Sequence, residues 1–398
     1  MAAATAYRTP FSVDKTGPGG TDSINLKANN GGPLPDIGFL RPSTTDLPIE
    51  ELRKRYEEDG YLWVSFGATK PQPPIIQPKT LTHHTSPPQM KGLLDRAAVL
   101  HMREQYFAFM SSADSGGDTG ILSPNTHPRD GIFSGADWRE YLLPGALRVF
   151  NGLSDDGVFV DKVVQAHVAD FYHDFKQRVV GSTLTGFAGR LRRFKEPLLL
   201  NRSLLRCNVP GGETTPVHYD QIFLRAGPAT AVTGWVPLGD CAVEGGGLMY
   251  LEKSVEVGRR FEADFAERNK GLSDEERVSA FNRNMNAGGF LDRDAAAFGK
   301  HWGRRWLVAP RYEAGDVVFH DPFMVHASCK NESPEGIIRL STDLRFVDGA
   351  EPFDERWMFE AYQQDDPNVA SRQKKVPPAD VAKEALETDA EPPLGVNH

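Results

Sequence analysis

From about Leu198 onward the chain breaks into short runs rich in Leu, Val, Phe, Trp and Thr, and this pattern constrains the fold more than any other feature. The runs are Leu204–Val209, Val217–Leu224, Ala231–Leu238, Leu248–Leu251, Trp306–Val308, Asp316–His320 and Arg339–Val347, with Gly, Pro and Asp turns between them. Runs so short favour strands over helices, and many short strands separated by turns predict an antiparallel barrel or sandwich. The expected class is mainly β with flanking helices. One interruption, residues 255–304, has a different texture. It is polar and helical, and Ser273-Asp-Glu-Glu276 has the capping-box form that opens a helix. Such a segment between two strands predicts a lid or rim over the core.

Upstream, Asp46 and Pro48 introduce Ile49, Leu52 and Tyr56 at helical spacing, and Gly60 stops the run. Tyr61-Leu-Trp-Val then has the composition of a strand. Helices are predicted from Leu93 to about Met110 and from Val160 to about Phe175, where His101, His167 and His173 lack partners at metal-binding spacing and are expected to pack or to face solvent. Residues 1–36, rich in Gly, Pro, Asn and Thr, are expected to be flexible, and the proline-rich 65–92 to be a surface connection. These features predict one domain over 37–362, with its β core at about 198–350, and a polar, mobile tail over 363–398.

Charge and cysteine content exclude several functions. A formal net charge of −9 argues against nucleic acid as a partner, since phosphate recognition needs concentrated Lys and Arg. No run approaches the roughly 18–20 apolar residues of a membrane span, so no membrane partner is expected. The cysteines, Cys207, Cys241 and Cys329, are few, odd in number and far apart, which fits a reducing, cytoplasmic setting better than a disulfide framework. The N-terminus has no apolar stretch of signal-peptide length.

Chemistry concentrates in Thr214-Thr-Pro-Val-His218-Tyr-Asp220. Alternate residues of an extended chain point the same way, so His218 and Asp220 can enter one cavity together. An imidazole and a carboxylate suit a divalent metal, and a second imidazole completes the two-histidine, one-carboxylate face whose open positions serve iron(II) and oxygen. That second imidazole is sought in Gly315-Asp-Val-Val-Phe-His320-Asp-Pro-Phe-Met-Val-His326-Ala-Ser328. His320 and Asp321 compete with His326 for the role. His326 is preferred because Pro322 breaks strand regularity immediately after the first two. On the next expected strand, alternation puts Arg339 and Ser341 on one face, where a guanidinium and a hydroxyl can bind a carboxylate such as the distal one of 2-oxoglutarate. Arg345 is the alternative cation.

The order of these motifs resembles the phytanoyl-CoA dioxygenase family of iron(II)- and 2-oxoglutarate-dependent oxygenases, over roughly residues 48–64 and 200–347. The likeness rests on Glu50-Glu-Leu-Arg-Lys-Arg-Tyr-Glu-Glu-Asp-Gly-Tyr, on Trp235-Val-Pro-Leu-Gly-Asp with Glu244-Gly-Gly-Gly-Leu-Met, and above all on the Gly315–Arg339 stretch. It implies a double-stranded β-helix (jelly-roll, cupin-like) core and iron ligands at His218, Asp220 and His326. It also implies a 2-oxoglutarate pocket at Arg339, bordered by Ser328 and Trp235, with Asn208 or Thr215 at the co-substrate's other end. Tyr219 departs from the family, where Gln is common, and the insertion at 255–304 has no counterpart. The implied reaction consumes 2-oxoglutarate and O2, releases succinate and CO2, and hydroxylates, desaturates or oxidatively cyclises a small molecule, the working expectation being a natural-product intermediate. Two other classes stay open: a catalytically silent jelly-roll binding protein and a cupin-like metal hydrolase or isomerase. A homodimer is also left open.

Overall fold

The computed structural model describes residues 26–65, 92–114, 116–141, 157–280 and 289–361. Its first elements are β1 (Ile37–Phe39), β2 (Pro42–Ser43), α1 (Ile49–Asp59), β3 (Tyr61–Val64) and α2 (Arg96–Ser111). A helical block follows: α3 (Gly157–His167), α4 (Asp170–Asp174), a π-helical stretch over Phe175–Val180, and α5 (Gly181–Arg192). Next come β4 (Pro197–Leu199), β5 (Leu204–Asn208), β6 (Val232–Pro237), β7 (Cys241–Ala242) and β8 (Leu248–Leu251). The insertion supplies α6 (Val255–Arg268), α7 (Asp274–Val278) and α8 (Ala295–His301). The chain then runs through β9 (Trp306–Val308), β10 (Arg311–Tyr312), β11 (Val317–His320), β12 (His326–Ser328) and β13 (Arg339–Asp348).

Two-residue alternation decides what each sheet faces. The larger sheet has the order β2-β3-β11-β6-β13-β4, with β5 also paired to β13. Its register sets Arg339 opposite Asn208, Ser341 opposite Arg206, Asp343 opposite Trp235, and Arg345 opposite Thr233, which in turn lies opposite His320. Residues directly opposite share a face, so the polar side chains gather on one side. The other side carries Leu205, Val236, Phe319, Leu340, Leu344 and Phe346, packed in one apolar cluster with Met102, Phe107, Val163, Leu184 and Phe187 of the helices. In the smaller sheet, ordered β1-β9-β8-β12, His326 lies opposite Tyr250 and Ser328 opposite Leu248. Its other face packs Met249, Leu251, Trp306 and Ala327 against Val257, Ala295 and Phe298 of the insertion. A third cluster joins Tyr61, Trp63, Trp235 and Val318 of the larger sheet to Leu248, Tyr250 and Leu307 of the smaller. The polar faces therefore meet between the sheets, with helices outside. The fold is sheet-rich with flanking helices.

Several local expectations change. Pro48, not Asp46, caps α1, while Gly60 ends it in the left-handed conformation (φ 76°). The run from Val160 divides because Ala169 is extended (φ −74°, ψ 146°), and this leaves Val168 exposed. Val217–Leu224 is no strand: beyond bridges at Val217 and His218 the chain turns into a 3-10 helix over Asp220–Phe223, where Gln221 N donates to the Pro322 carbonyl. Residues 26–36 are not the free segment expected, because Leu26, Ala28 and Leu34 bury against the smaller sheet and Asn29 Nδ2 donates to the Arg293 carbonyl at 2.8 Å. The insertion is more than a rim, since Val257, Phe265, Ala295 and Phe298 are core residues. Its capping box at Ser273 and Glu276 forms as expected. Residues 1–25, nearly all of 65–92 and the tail from 362 lie outside the described residues. No described helix is long and apolar enough to cross a membrane.

His167 packs, as expected, and stitches α3 to β5. Its Nδ1 donates to the Val163 carbonyl at 2.7 Å, and its Nε2 accepts from Leu205 N at 2.9 Å. Burial pushes its pKa down to about 4 from 6.5. The unfolded chain therefore takes up this proton at a higher pH than the folded chain. The stabilisation is complete above about pH 6.5 and is lost as pH falls towards 4, at up to about 1.4 kcal/mol per pH unit. Urea unfolding between pH 7 and 4 should show His167→Gln losing less stability on acidification than the parent.

Candidate metal centre

His218 and His326 form a hydrogen-bonded antiparallel pair: His218 N donates to the His326 carbonyl at 3.0 Å, and His326 N returns the bond at 2.9 Å. Their rings fall on the same side with centroids 4.2 Å apart. Each ring is fixed by the carbonyl two residues before it, His218 Nδ1 by Pro216 and His326 Nδ1 by Met324, both at 2.9 Å. A carbonyl only accepts, so both Nδ1 atoms carry the proton and both Nε2 atoms present a lone pair to the interior. Asp220 reaches the same point through extended Tyr219 (φ −130°, ψ 149°). Its Oδ1 lies 3.8 Å from His218 Nε2 and 3.9 Å from His326 Nε2. The three donor atoms lie within 4.8 Å of one another and all three residues are buried. Converging lone pairs beside a carboxylate suit a divalent cation.

Neighbours prepare these donors for a metal. Burial opposes the charge on Asp220, but Arg345 and the hydrogen bond from His320 hold its pKa well below the carboxylate range. Arg345 Nη2 donates to Oδ1 at 3.0 Å, while Oδ2 accepts from the Thr233 hydroxyl and from His320 Nε2 at 3.0 Å. His320 Nδ1 then accepts from the Tyr250 hydroxyl at 3.1 Å. His320 thus has both nitrogens committed and orients Asp220. Asp321 is occupied with the Phe323 amide. Burial lowers the His218 pKa to about 4 and takes that of His326 well below its ordinary value, which keeps both imidazoles neutral.

Arg339 gathers the residues grouped with it on sequence grounds. Fully buried, it donates from Nε to the Gly246 carbonyl (3.0 Å), from Nη1 to Ser341 Oγ (2.7 Å) and from Nη2 to Ser328 Oγ (3.2 Å). Among the described residues no carboxylate lies within ion-pair distance of it, whereas Arg345 is engaged with Asp220. Ser328 is two residues along β12 from His326 on the same face, about 6.5 Å at strand rise. Thr215 lines the cavity beside the histidines, and its carbonyl accepts from Ser328 N at 3.1 Å. Asn208 stands opposite Arg339 in register. Trp235 shares the polar face but rests edge-on against Tyr312 (4.7 Å) and does not line the cavity.

Thr233 and Tyr250, which orient Asp220 and His320, and Arg206, paired with Asp343 at 2.6 Å in the cavity wall, lie outside the motifs that the sequence singles out, whereas alternation along the last strand already sets Asp343 on the face of Arg339 and Ser341. Alternation along β6, which sets Thr233 on the face of Trp235, is the signal for Thr233.

Residues 154–340 match the family model described as phytanoyl-CoA dioxygenase (PhyH). This is a phytanoyl-CoA dioxygenase family domain. The match includes His218, Asp220, His326 and Arg339, and leaves out the 48–64 segment. The PhyH domain makes the chain a 2-oxoglutarate-dependent non-haem iron enzyme, with iron(II), 2-oxoglutarate and O2 as its cofactors. Solved structures similar to this chain include two from nogalamycin biosynthesis. SnoK, a non-haem α-ketoglutarate-dependent carbocyclase, is 18% identical, with 78% of this chain and 88% of that chain covered and a TM-score of 0.42. SnoN, an epimerase, is 16% identical, with 75% and 82% covered and a TM-score of 0.38. AviO1 from Streptomyces viridochromogenes is 13% identical, with 77% and 98% covered and a TM-score of 0.37. No curated protein matches the chain.

Proposed function

We propose that the protein is an iron(II)- and 2-oxoglutarate-dependent dioxygenase whose two sheets form a double-stranded β-helix. Its iron ligands are His218 Nε2, Asp220 Oδ1 and His326 Nε2. The carrying observation is that both imidazoles, locked by backbone carbonyls, turn bare nitrogens toward one carboxylate oxygen in a buried site. Bound iron supplies oxidative decarboxylation of 2-oxoglutarate to succinate and CO2, coupled to oxidation of the main substrate. Arg339, with Ser341 and Ser328, anchors the distal carboxylate. Thr215 and Asn208 border the co-substrate, and Trp235 backs the sheet face behind it. Asp220 occupies the ligand position that halogenating relatives leave vacant, which favours hydroxylation, desaturation or oxidative ring closure.

The substrate is a small molecule, and we assign it to the biosynthetic intermediates. The cavity wall supports a partly polar ligand, for it mixes the Arg206–Asp343 pair and Thr215 with Leu248. Three buried free thiols fit a reducing, cytoplasmic location. The purified protein should convert 2-oxoglutarate to succinate in the presence of both iron(II) and O2. Mass spectrometry of products from a metabolite library should then identify the oxidised compound. Turnover of any substrate without O2 would overturn the oxygenase reading in favour of a hydrolase or isomerase.

A further inference from the structure

The residue between His218 and Asp220, extended Tyr219, turns its side chain to the other side of the chain from theirs. Tyr219 is fully buried, and its hydroxyl donates to Glu262 Oε2 of α6 at 2.6 Å. Arg225 closes the group with a two-pronged contact to Glu262, Nε to Oε1 at 2.8 Å and Nη2 to Oε2 at 2.9 Å. Its guanidinium also sits 3.6 Å over the Phe265 ring of the same helix. The other end of the insertion reaches this segment through backbone bonds and apolar packing: Val217 N donates to the Asp292 carbonyl at 3.0 Å, Leu291 N donates to the Val217 carbonyl at 2.7 Å, and the Leu291 side chain packs with Val217 and Tyr219.

The second ligand segment is held from the same insertion. Ser254, immediately before α6, accepts from Val325 N at 3.0 Å. Gly258 passes so close to the Phe323 carbonyl that an added Cβ would lie 2.1 Å from its oxygen. These contacts fall on residues adjoining Pro216 and Met324, whose carbonyls fix the two ligand rings. Ligand rings keep their aim only as well as the backbone carrying those carbonyls keeps its place.

We propose that Tyr219 is a positioning residue and that the insertion, through Glu262 and α6, clamps both ligand-bearing segments in register. This rests on the iron-site assignment above. It gives the 255–304 insertion a supporting role instead of that of a lid, and gives a reason for tyrosine where the related family commonly has glutamine. Tyr219→Phe keeps the ring and removes only the hydroxyl, and Glu262→Ala breaks the group from the helix side, far from the ligands.

The test is cobalt(II) and anaerobic iron(II) affinity of the full chain by chelator competition, read with the cobalt(II) absorption spectrum and a melting curve. Each single variant should bind metal about tenfold more weakly, within the range for lost ligand-orienting contacts. The double variant should be no worse than the worse single, as members of one network behave. Glu267→Gln, on the exposed side of α6, should match the parent. Parental metal affinity and spectrum in the folded single variants, even with lower melting temperatures, would overturn the clamp. Should Tyr219→Phe not fold, Glu262→Ala decides the matter alone. A parent that binds no metal sinks the iron assignment and the clamp with it, an outcome distinct from a parent that binds and variants that bind equally well.

Discussion

Asp220→Ala should lose metal binding and about 3–5 kcal/mol of folding stability together, whereas His218→Ala should lose metal binding and leave stability within about 1 kcal/mol of the parent. The difference lies in what each side chain holds besides a metal. Asp220 is the counter-charge for Arg345 and the acceptor for Thr233 and His320, all three of them buried. Arg345 Nε and Nη1 have no hydrogen-bond partner among the described residues, and the other nearby carboxylate, Asp343 at 3.9 Å from Nη1, is held by Arg206 at 2.6 Å, so Asp220 at 3.0 Å is the principal support for that charge. Removing one member of such a pair leaves the other uncompensated in a low-dielectric interior. Among the described residues the His218 side chain hydrogen-bonds to the Pro216 carbonyl and otherwise meets the rings of Phe223 and His326, and its Nε2 faces the cavity, where water can replace it. The sign with pH follows from the depressed Asp220 pKa. Its contribution is present above the unfolded value near 3.8 and is lost as pH falls well below that. Urea unfolding and iron(II) binding of the two variants test the contrast. Equal destabilisation of both would remove the special place given to the Asp220–Arg345 pair.

Where one residue's period or one turn decided the outcome, the fold was readable from sequence. Tyr61–Val64, Leu248–Leu251 and Trp306–Val308 are strands at the limits their composition implied. Pro322 separates His320 from His326 in the sequence, and in the structure His320 spends both its nitrogens on Asp220 and Tyr250. What stayed hidden depends on register and tertiary contact. Nothing local to Thr233 says that β6 will set it beside Arg345 and His320. The strand expected to continue past Asp220 ended because Gln221 found the Pro322 carbonyl, far along the chain. Leu26, Ala28 and Leu34 look like isolated apolar residues in a polar stretch until the smaller sheet offers them a surface. In the insertion, polar composition masked a buried stripe of Val257, Phe265 and Phe298, because a helix can bury one face while the rest of its sequence stays charged.

Arg339→Met is expected to weaken 2-oxoglutarate binding at least about a hundredfold while leaving the protein without co-substrate as stable as the parent, or more so. The first half follows from a two-pronged guanidinium–carboxylate contact. At about 1.5–3 kcal/mol for each charge-assisted hydrogen bond, two lost bonds exceed the 2.8 kcal/mol or so that corresponds to two decades of affinity. The second half follows from the company Arg339 keeps. Burial lowers its pKa, and its donors meet only neutral acceptors on Gly246, Ser328 and Ser341. A buried cation without an anion costs stability that methionine of similar length does not, at the smaller loss of hydrogen bonds to those three oxygens. The residue therefore opposes folding and serves binding, a trade expected at a ligand site. Arg339→Lys keeps the charge but not the planar fork and should fall between parent and methionine in affinity. Calorimetry with manganese(II) in place of iron under anaerobic conditions measures the affinity. Melting curves add an independent sign: 2-oxoglutarate should raise the melting temperature of the parent and leave that of Arg339→Met unmoved. If Arg339→Met bound 2-oxoglutarate as the parent does while Arg345→Met did not, the anchoring charge would be Arg345, which lines the cavity beside Asp220.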